Sequence, residues 1–185
     1  MTGLRPLLQE YLIEKRRMFI MTVQCRPVSF SEKEILNHLL EKYNYEFSQY
    51  DKIPLPDNGL YGYPYLDYYW TEPGRFAYFI LVDGNLAGFA LIHKRPECDR
   101  KTDWSVAEFF VIYPYRNLGV ATEVMDQIFA VHKGTWQIKY HSANIASVKF
   151  WNKIAGKYAK NGYDILVGSE DYFDGTKSTV LVFEV

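Results

Sequence analysis

Hydrophobic residues recur along the chain at two spacings, and each spacing predicts a different kind of element. Compact runs rich in β-branched and aromatic residues predict strands over 23–28, 76–82, 86–93, 104–113, 135–140, 163–167 and 179–185. Apolar residues three and four positions apart predict helices after Ser29 or Ser31, over 119–132 and over 144–160. Strands therefore make up most of the predicted elements, with helices between them.

The order of these elements predicts a mixed α+β domain. The turn residues Asp83-Gly84-Asn85 favour a hairpin between the second and third strands. The helix over 119–132 connects two strands, and a crossover of this kind makes those strands parallel neighbours. We therefore expect a mostly antiparallel sheet of six or seven strands, flanked by about four helices, with one parallel pair.

Residues 44–74 differ from the rest because they are rich in helix-breaking residues. We expect no long regular element there. Eight of the 16 tyrosines fall in or beside this segment, namely Tyr43, Tyr45, Tyr50, Tyr61, Tyr63, Tyr65, Tyr68 and Tyr69. Rings with hydroxyl tips suit a binding site that is partly polar, and they equally suit the packing of a loop onto the sheet.

Composition and charge exclude several classes of protein. The chain has 185 residues, 48% of them hydrophobic, which is enough for one domain with a sizeable core. A net charge of −1 predicts no partnership with nucleic acid or an anionic membrane surface. Cys25 and Cys98 are not spaced as a metal site or redox pair, so we expect reduced thiols and a cytoplasmic location.

Residues 1–20 are interrupted by charges, so they predict neither a signal peptide nor a membrane span. Helical spacing within residues 4–12 predicts an amphipathic N-terminal extension. The same residues are equally read as sequence ahead of the natural start, because Met18 and Met21 are both plausible starts. We expect a single domain over residues 21–185.

The segment Arg116–Ala121 joins a predicted strand to a predicted helix. The unpaired N–H groups and dipole of a helix N-terminus favour an anion such as a diphosphate, and the small residues Gly119 and Ala121 let an anion approach the backbone. The glycine-rich patterns of dinucleotide and triphosphate sites are both absent. The alternative is an ordinary capping turn that binds nothing.

The pattern Arg-x-x-Gly-x-Ala between a strand and a helix resembles the acetyl-coenzyme A loop of the GNAT superfamily of N-acyltransferases. Val111 five residues before the arginine, and Asn144 followed by Phe150 and Trp151, resemble the flanking motifs of that family. The resemblance spans residues 23–185. The segment "GLYGYPYLDYYW" is also similar to that of a bacterial branch of the superfamily.

The resemblance implies a GNAT-like sheet whose parallel strands splay apart around acetyl-CoA, which serves as a substrate, with no metal. The backbone around 109–111 would hold the pantetheine arm, and the N–H groups of 117–122 would hold the diphosphate. The acetyl-CoA-binding residues expected on this basis are Phe109, Phe110, Val111, Arg116, Asn117, Leu118, Gly119, Val120, Ala121, Thr122, Asn144, Phe150 and Trp151.

Glu108 is the expected catalytic base, because it lies on the strand that would hold the thioester. The alternative is a strand-end glutamate that is ion-paired or faces solvent. His141 is the second candidate base, and its alternative is a hydrogen-bonded loop residue. Trp151 stands where many family members have a tyrosine that protonates the leaving thiolate, and indole is no usable acid. Tyr140 and Tyr158 are other candidate proton donors.

The resulting hypothesis is an N-acetyltransferase that moves an acetyl group from acetyl-CoA to a primary amine of a small molecule or peptide. The alternative is an acyl-CoA-binding sensor or interaction module with little transferase activity. Trp151 favours the module, whereas Glu108 on the central strand favours the enzyme. The resemblance allows a homodimer.

Overall fold

The computed structural model describes residues 21–185, and its centre is a seven-stranded sheet. The strands are β1 Val23–Pro27, β2 Arg75–Val82, β3 Asn85–His93, β4 Trp104–Val111, β5 Thr135–Tyr140, β6 Asp164–Val167 and β7 Thr179–Glu184. Their order across the sheet is β1-β2-β3-β4-β5-β7-β6. The pair β4–β5 is parallel and the other neighbouring pairs are antiparallel. The extension predicted for residues 1–20 lies outside the described residues.

Four α-helices flank the sheet: α1 Lys33–Asp51, α2 Tyr68–Thr71, α3 Val120–Val131 and α4 Ile145–Tyr158. Helices α3 and α4 bury their apolar residues on one face of the sheet, around Trp136 and Ile138. Helices α1 and α2 cover the other face, around Phe79 and Phe89. This arrangement confirms the predicted α+β fold with one parallel strand pair.

Helix α1 corrects one prediction. It continues to Asp51, well inside the segment in which no long regular element was expected. The prolines and glycines begin only at Pro54, and the residues before it continue the helical spacing. Tyr43 and Phe47, four residues apart, stack with ring centroids 5.7 Å apart. Composition taken over the whole segment therefore concealed two further turns of helix.

Strands β4 and β5 pair over only three residues each, from Trp104 to Val106 on β4. Strand β4 then continues to Val111 without β5 beside it. A bulge follows the paired part, because Leu91 pairs with Glu108 while its neighbour on β3 pairs with Val106. The parallel pair therefore splays, as the resemblance implied, and the bulge lies where the strands part.

Candidate active site

A cleft of about 1070 Å³ opens where β4 and β5 separate. The loop between β4 and α3 forms one end of the cleft. Helix α1, the β3–β4 connection and residues 169–172 line the other end, together with Tyr63 and Tyr65. All the candidate site residues except Leu118 and His141 line this one cleft. The tyrosine-rich segment thus borders the same cleft as the loop.

The β4–α3 loop has a backbone shape that suits an anion. Asn117 and Gly119 both adopt left-handed φ angles, of 62° and 84°. A Cβ atom added to Gly119 would meet nothing within 4 Å, so its Cα faces open space. Within residues 21–185, the N–H groups of residues 117–121 donate no hydrogen bond. A backbone that alternates between right- and left-handed conformations, and leaves its N–H groups unpaired at a helix N-terminus, forms a concave anion site.

The Arg116 side chain is partly buried and makes its contacts within the protein. Its Nη1 and Nη2 donate to the two carboxylate oxygens of Glu46 on α1, at 2.7 and 2.8 Å. Its Nε donates to the carbonyl oxygen of Val111, at 2.6 Å, and its guanidinium lies 4.1 Å from the Tyr113 ring centroid. The hydrogen bonds to Glu46 raise the pKa of Arg116. Arg116 therefore ties the loop to α1 and to the end of β4.

Aromatic side chains line the middle of the cleft. Phe109 stacks on Phe150, with centroids 5.9 Å apart, and meets Trp151 edge to face at 5.3 Å. Trp151 is 5% exposed, so its indole is mainly part of the wall. The Asn144 side chain caps α4 by accepting a hydrogen bond from the N–H of Ser147, at 3.0 Å. These contacts set the width of the gap beside β4.

Of the two other candidate proton donors, Tyr140 lines the cleft and Tyr158 does not. The Tyr140 hydroxyl accepts a hydrogen bond from Asn152, at 3.3 Å. The Tyr158 hydroxyl donates to Asp126 and contacts Lys157. The cleft therefore retains one tyrosine of the predicted pair.

Glu108 lies beside the bulge, on the sheet face covered by α1. The Tyr63 hydroxyl donates a hydrogen bond to its Oε1, at 3.3 Å. Burial raises the pKa of Glu108 to about 7, although the hydroxyls of Tyr43 and Tyr63 and the charge of Lys139 oppose the rise. Burial and the Glu108 charge in turn raise the pKa of Tyr43 well above its ordinary value. A carboxylate with a pKa of about 7 has the proton affinity that suits a general base at neutral pH.

Charged side chains cross the same sheet face near Glu108. Glu97, from the β3–β4 connection, accepts from Lys139 on β5 at 2.6 Å and lies 3.3 Å from His93 on β3. Burial opposes ionisation, but His93 and Lys139 hold the pKa of Glu97 below its usual value. Arg75 on β2 pairs in register with His93. This row forms the polar floor of the cleft end beyond Glu108.

The structure does not bring His141 to the cleft. Its side chain is 1% exposed, and its Nδ1 accepts a hydrogen bond from the N–H of Ala143, at 3.1 Å. Its Nε2 lies 3.4 Å from Asp174 in the β6–β7 loop. The ring also packs against Phe47 and Tyr172. These contacts connect α1 with the loop that borders the cleft.

Residues 33–156 match the family model of the acetyltransferase (GNAT) family. The chain belongs to this family. GNAT enzymes use acetyl-CoA as acyl donor, so the prediction of acetyl-CoA as the donor is confirmed. Membership of this family implies acyl transfer from acyl-CoA. No curated protein sequence matches this chain significantly.

Solved structures share the fold of this GNAT acetyltransferase at low identity. An acetyltransferase from Thermus thermophilus is 12% identical, with a TM-score of 0.63, covering 89% of this chain and 97% of that chain. PaiA N-acetyltransferase from Thermoplasma acidophilum, in complex with coenzyme A, is 11% identical with a TM-score of 0.57, and the match covers 89% of this chain and 99% of that chain. Ribosomal-protein-S18-alanine N-acetyltransferase from Escherichia coli is 10% identical with a TM-score of 0.53, and the match covers 90% of this chain and 94% of that chain.

Within its described residues, this GNAT acetyltransferase meets neither the requirements of a three-ligand metal site nor those of a membrane-spanning helix. Residues 21–185 hold no group of three or more His, Cys, Asp and Glu side chains placed to bind a metal ion. Over the same residues, no helix combines the length and the apolar character needed to cross a bilayer. Cys25 and Cys98 are free thiols in the described part of the chain.

The sequence did not single out the polar floor of the cleft. Arg75 and His93 lie at strand ends, and Glu97 lies in a connection whose path the chain alone does not predict. Alternation offers one signal: Arg75 is two residues before the buried Ala77, so both point to the same face. The bulge between Val106 and Glu108 interrupts the alternation, so the part of β4 before it does not report the sheet face on which Glu108 lies.

Proposed function

We propose that this GNAT acetyltransferase moves an acetyl group from acetyl-CoA to a primary amine by direct attack, with both substrates in the cleft. One observation carries the proposal. Glu108, whose pKa is about 7, lies beside the bulge in the same cleft as the anion-binding loop. A base near the reacting amine and an anion site for the donor are the two parts that such a reaction needs.

The residues of the chain divide the reaction between them. The N–H groups of the loop bind the diphosphate, and the unpaired edge of β4 from Ala107 to Val111 orients the pantetheine arm. An alkylammonium has a pKa near 10, so it must lose a proton before it attacks. Glu108 accepts that proton, directly or through one water molecule.

The deprotonated amine then attacks the thioester of acetyl-CoA. The neutral amine nitrogen forms a bond to the thioester carbon, the carbon–sulfur bond breaks, and the second proton lost by the nitrogen passes to the departing thiolate, so that the products are the amide and the free thiol of CoA. In this proposal a backbone N–H beside the bulge stabilises the charge that develops on the thioester oxygen. A thiol has a pKa of about 8–9, so the thiolate of CoA leaves without an assigned acid. Of the two candidate proton donors, Tyr140 is the one that lines the cleft.

The acceptor we propose is the amine of a small molecule or a peptide in the cytoplasm. Relatives with this fold include an enzyme that acetylates the alanine of ribosomal protein S18, which supports a peptide amine as one option. The free thiols Cys25 and Cys98 support the reducing compartment.

A matched pair of glycine variants tests the donor site. Gly119→Val places a side chain in the open space of the loop, and we expect acetyl-CoA affinity measured by calorimetry to fall at least tenfold. Gly162→Val is the control, because Gly162 has a similar φ of 81°, equally open surroundings and a position outside the cleft. Equal affinities in the two variants would exclude this loop as the diphosphate site.

Thiol release over a panel of primary amines tests the transfer step. We expect acetyl-CoA-dependent release with a subset of amines, and a kcat lowered by about 10²–10⁴-fold in Glu108→Gln. Donor affinity should stay within about twofold. Tight acetyl-CoA binding with no turnover on any amine would support the sensor or interaction module instead.

A further inference from the structure

Arg75 belongs to the polar floor of the cleft end beyond Glu108 and has donor capacity that no group within residues 21–185 uses. Its side chain is 5% exposed, and its Nε donates to Glu72 at 2.7 Å. Its Nη2 is buried and has no hydrogen-bond partner within residues 21–185. A buried guanidinium donor without an acceptor is costly, and few native groups are left in this state.

Neighbouring groups hold the Arg75 side chain in place. The guanidinium lies over the rings of Tyr68 and Tyr69, at 5.2 and 5.6 Å from their centroids. The Tyr69 hydroxyl is also buried, and it lies near Arg75 and Tyr63 without a hydrogen bond of ordinary geometry to any group in the described part of the chain. Stacking and the Glu72 contact leave the side chain little freedom to find another acceptor, so its remaining donors are preorganised.

Arg75 and Glu108 point to the same face of the sheet. Ala77 pairs with Leu91, and Leu91 pairs with Glu108, so these residues lie in one line across three strands, a span of about 10 Å. Arg75 is two residues further along β2, about 7 Å from Ala77. A ligand that reaches both groups must therefore carry two functional groups separated by a spacer of several bonds.

We infer that the acceptor carries a carboxylate as well as its amine, and that Arg75 binds the carboxylate while the amine lies at Glu108. A carboxylate is the planar, charged acceptor that a guanidinium prefers. The spacer would lie among the aromatic side chains that line this end, including Tyr43, Tyr63 and Tyr65. The inference rests on the proposed function, and it narrows the acceptor to ω-amino acids and short peptides with a free carboxylate.

Acids and their matching amides test the inference. The probes are β-alanine, 6-aminohexanoate and glycylglycine, each compared with its primary amide, in assays of thiol release from acetyl-CoA. For at least one pair we expect KM to be about 10- to 100-fold lower for the acid. The response within the series separates free ω-amino acids from peptides. An acid-to-amide KM ratio near one for every pair would overturn the inference.

Variants then assign the preference to Arg75. Arg75→Gln should bring the acid-to-amide KM ratio close to one by raising the KM of the acid. Arg75→Lys should keep part of the preference, because it retains the charge without the planar fork. Arg26→Gln is the matched control: Arg26 also pairs with a glutamate and lies over a ring, but outside the cleft. A preference that survives in Arg75→Gln would overturn the inference.

A binding arm keeps this result separate from the proposed function. N-Acetyl-6-aminohexanoate with CoA should raise the melting temperature of the wild type more than its amide does, and this difference should vanish in Arg75→Gln. If Arg75→Gln unfolds, Arg75→Lys serves in its place, and the difference between acid and amide should then shrink without vanishing. Equal acetylation of amides and acids would leave the transferase proposal intact and would overturn only the inference that Arg75 binds a carboxylate of the acceptor.

Discussion

At the scale of single residues, the burial of Glu108 has opposite effects on activity and stability. In the proposed reaction the ionised form is the base, so kcat/KM should rise with pH and level off above about 7. In Glu108→Gln this rising limb should be absent. A limb unchanged in the variant would assign the pH dependence to another group.

The same shift predicts that Glu108 costs stability at alkaline pH. The folded pKa is about 7 against an ordinary value of 4.5, so between these values the folded state binds more protons than the unfolded state. Stability from this group is therefore present at low pH and lost as pH rises through about 7. Glu108→Gln should exceed wild type in unfolding free energy by about 1–3 kcal/mol at pH 8, with the gain shrinking towards pH 4.5.

Urea denaturation at several pH values measures this difference. Asp99→Asn, which removes an exposed carboxylate in the β3–β4 connection, is the control and should show no comparable gain at pH 8. A Glu108→Gln protein that is less stable than wild type at pH 8 would mean that the ionised carboxylate is structural. Activity and stability would then fall together, contrary to expectation.

At the scale of elements, the ion pair between Glu46 and Arg116 joins α1 to the β4–α3 loop. If the arginine acts by positioning the loop, Glu46→Gln and Arg116→Gln should both weaken acetyl-CoA binding by a similar factor. If it binds the diphosphate itself, only Arg116→Gln should weaken binding. Because both side chains are partly buried and the contact is bidentate, we expect positioning and a coupling free energy of about 1–2 kcal/mol in a double-mutant cycle.

Calorimetry and urea denaturation of the two single variants and the double variant measure these quantities. The double variant should lose less stability than the sum of the single losses, because neither partner is left as an unpaired charge. Strictly additive losses would show that the pair does not couple α1 to the loop.

The elements themselves were largely predictable, because periodicity reports burial directly. Strand β5 was predicted at its observed bounds, and α4 within two residues at each end. The full length of α1 was missed because the prolines that follow it dominated the composition of its segment. The bulge beside Glu108 was not predictable, since an extra residue in one strand depends on the register of its partner.

The site was only partly predictable for a related reason. The loop motif lies within consecutive residues, so the chain shows it directly. Arg75, His93 and Lys139 come from three different strands and meet only through the pairing of the sheet. The engagement of Arg116 with Glu46 joins residues 70 positions apart, which no local pattern reports.

At the scale of the whole molecule, the donor should join the two halves of the sheet. Three residue pairs connect β4 with β5, and the backbone beyond them on β4 has no strand beside it on that edge within the described residues. In the proposed function the pantetheine arm occupies this gap. We therefore expect bound CoA to slow amide hydrogen exchange in residues 107–111 and 117–121 by at least tenfold, as followed by mass spectrometry.

Residues 164–167 of β6 provide the internal control for this exchange experiment. They pair with β7 on the far side of the sheet and should exchange at an unchanged rate. Slowing that is uniform across the protein would indicate general stabilisation and would place the donor elsewhere.

The short pairing of β4 with β5 also makes the strand unequal in stiffness along its length. At Ser105 and Val106 strand β4 pairs with a strand on both edges, whereas over the next five residues, about 17 Å, it pairs only with β3 within the described residues. Local opening costs least where the fewest hydrogen bonds must break. In the proposed function Glu108 therefore lies close to the stiffer part of β4, and the nucleotide binds beyond the more compliant end.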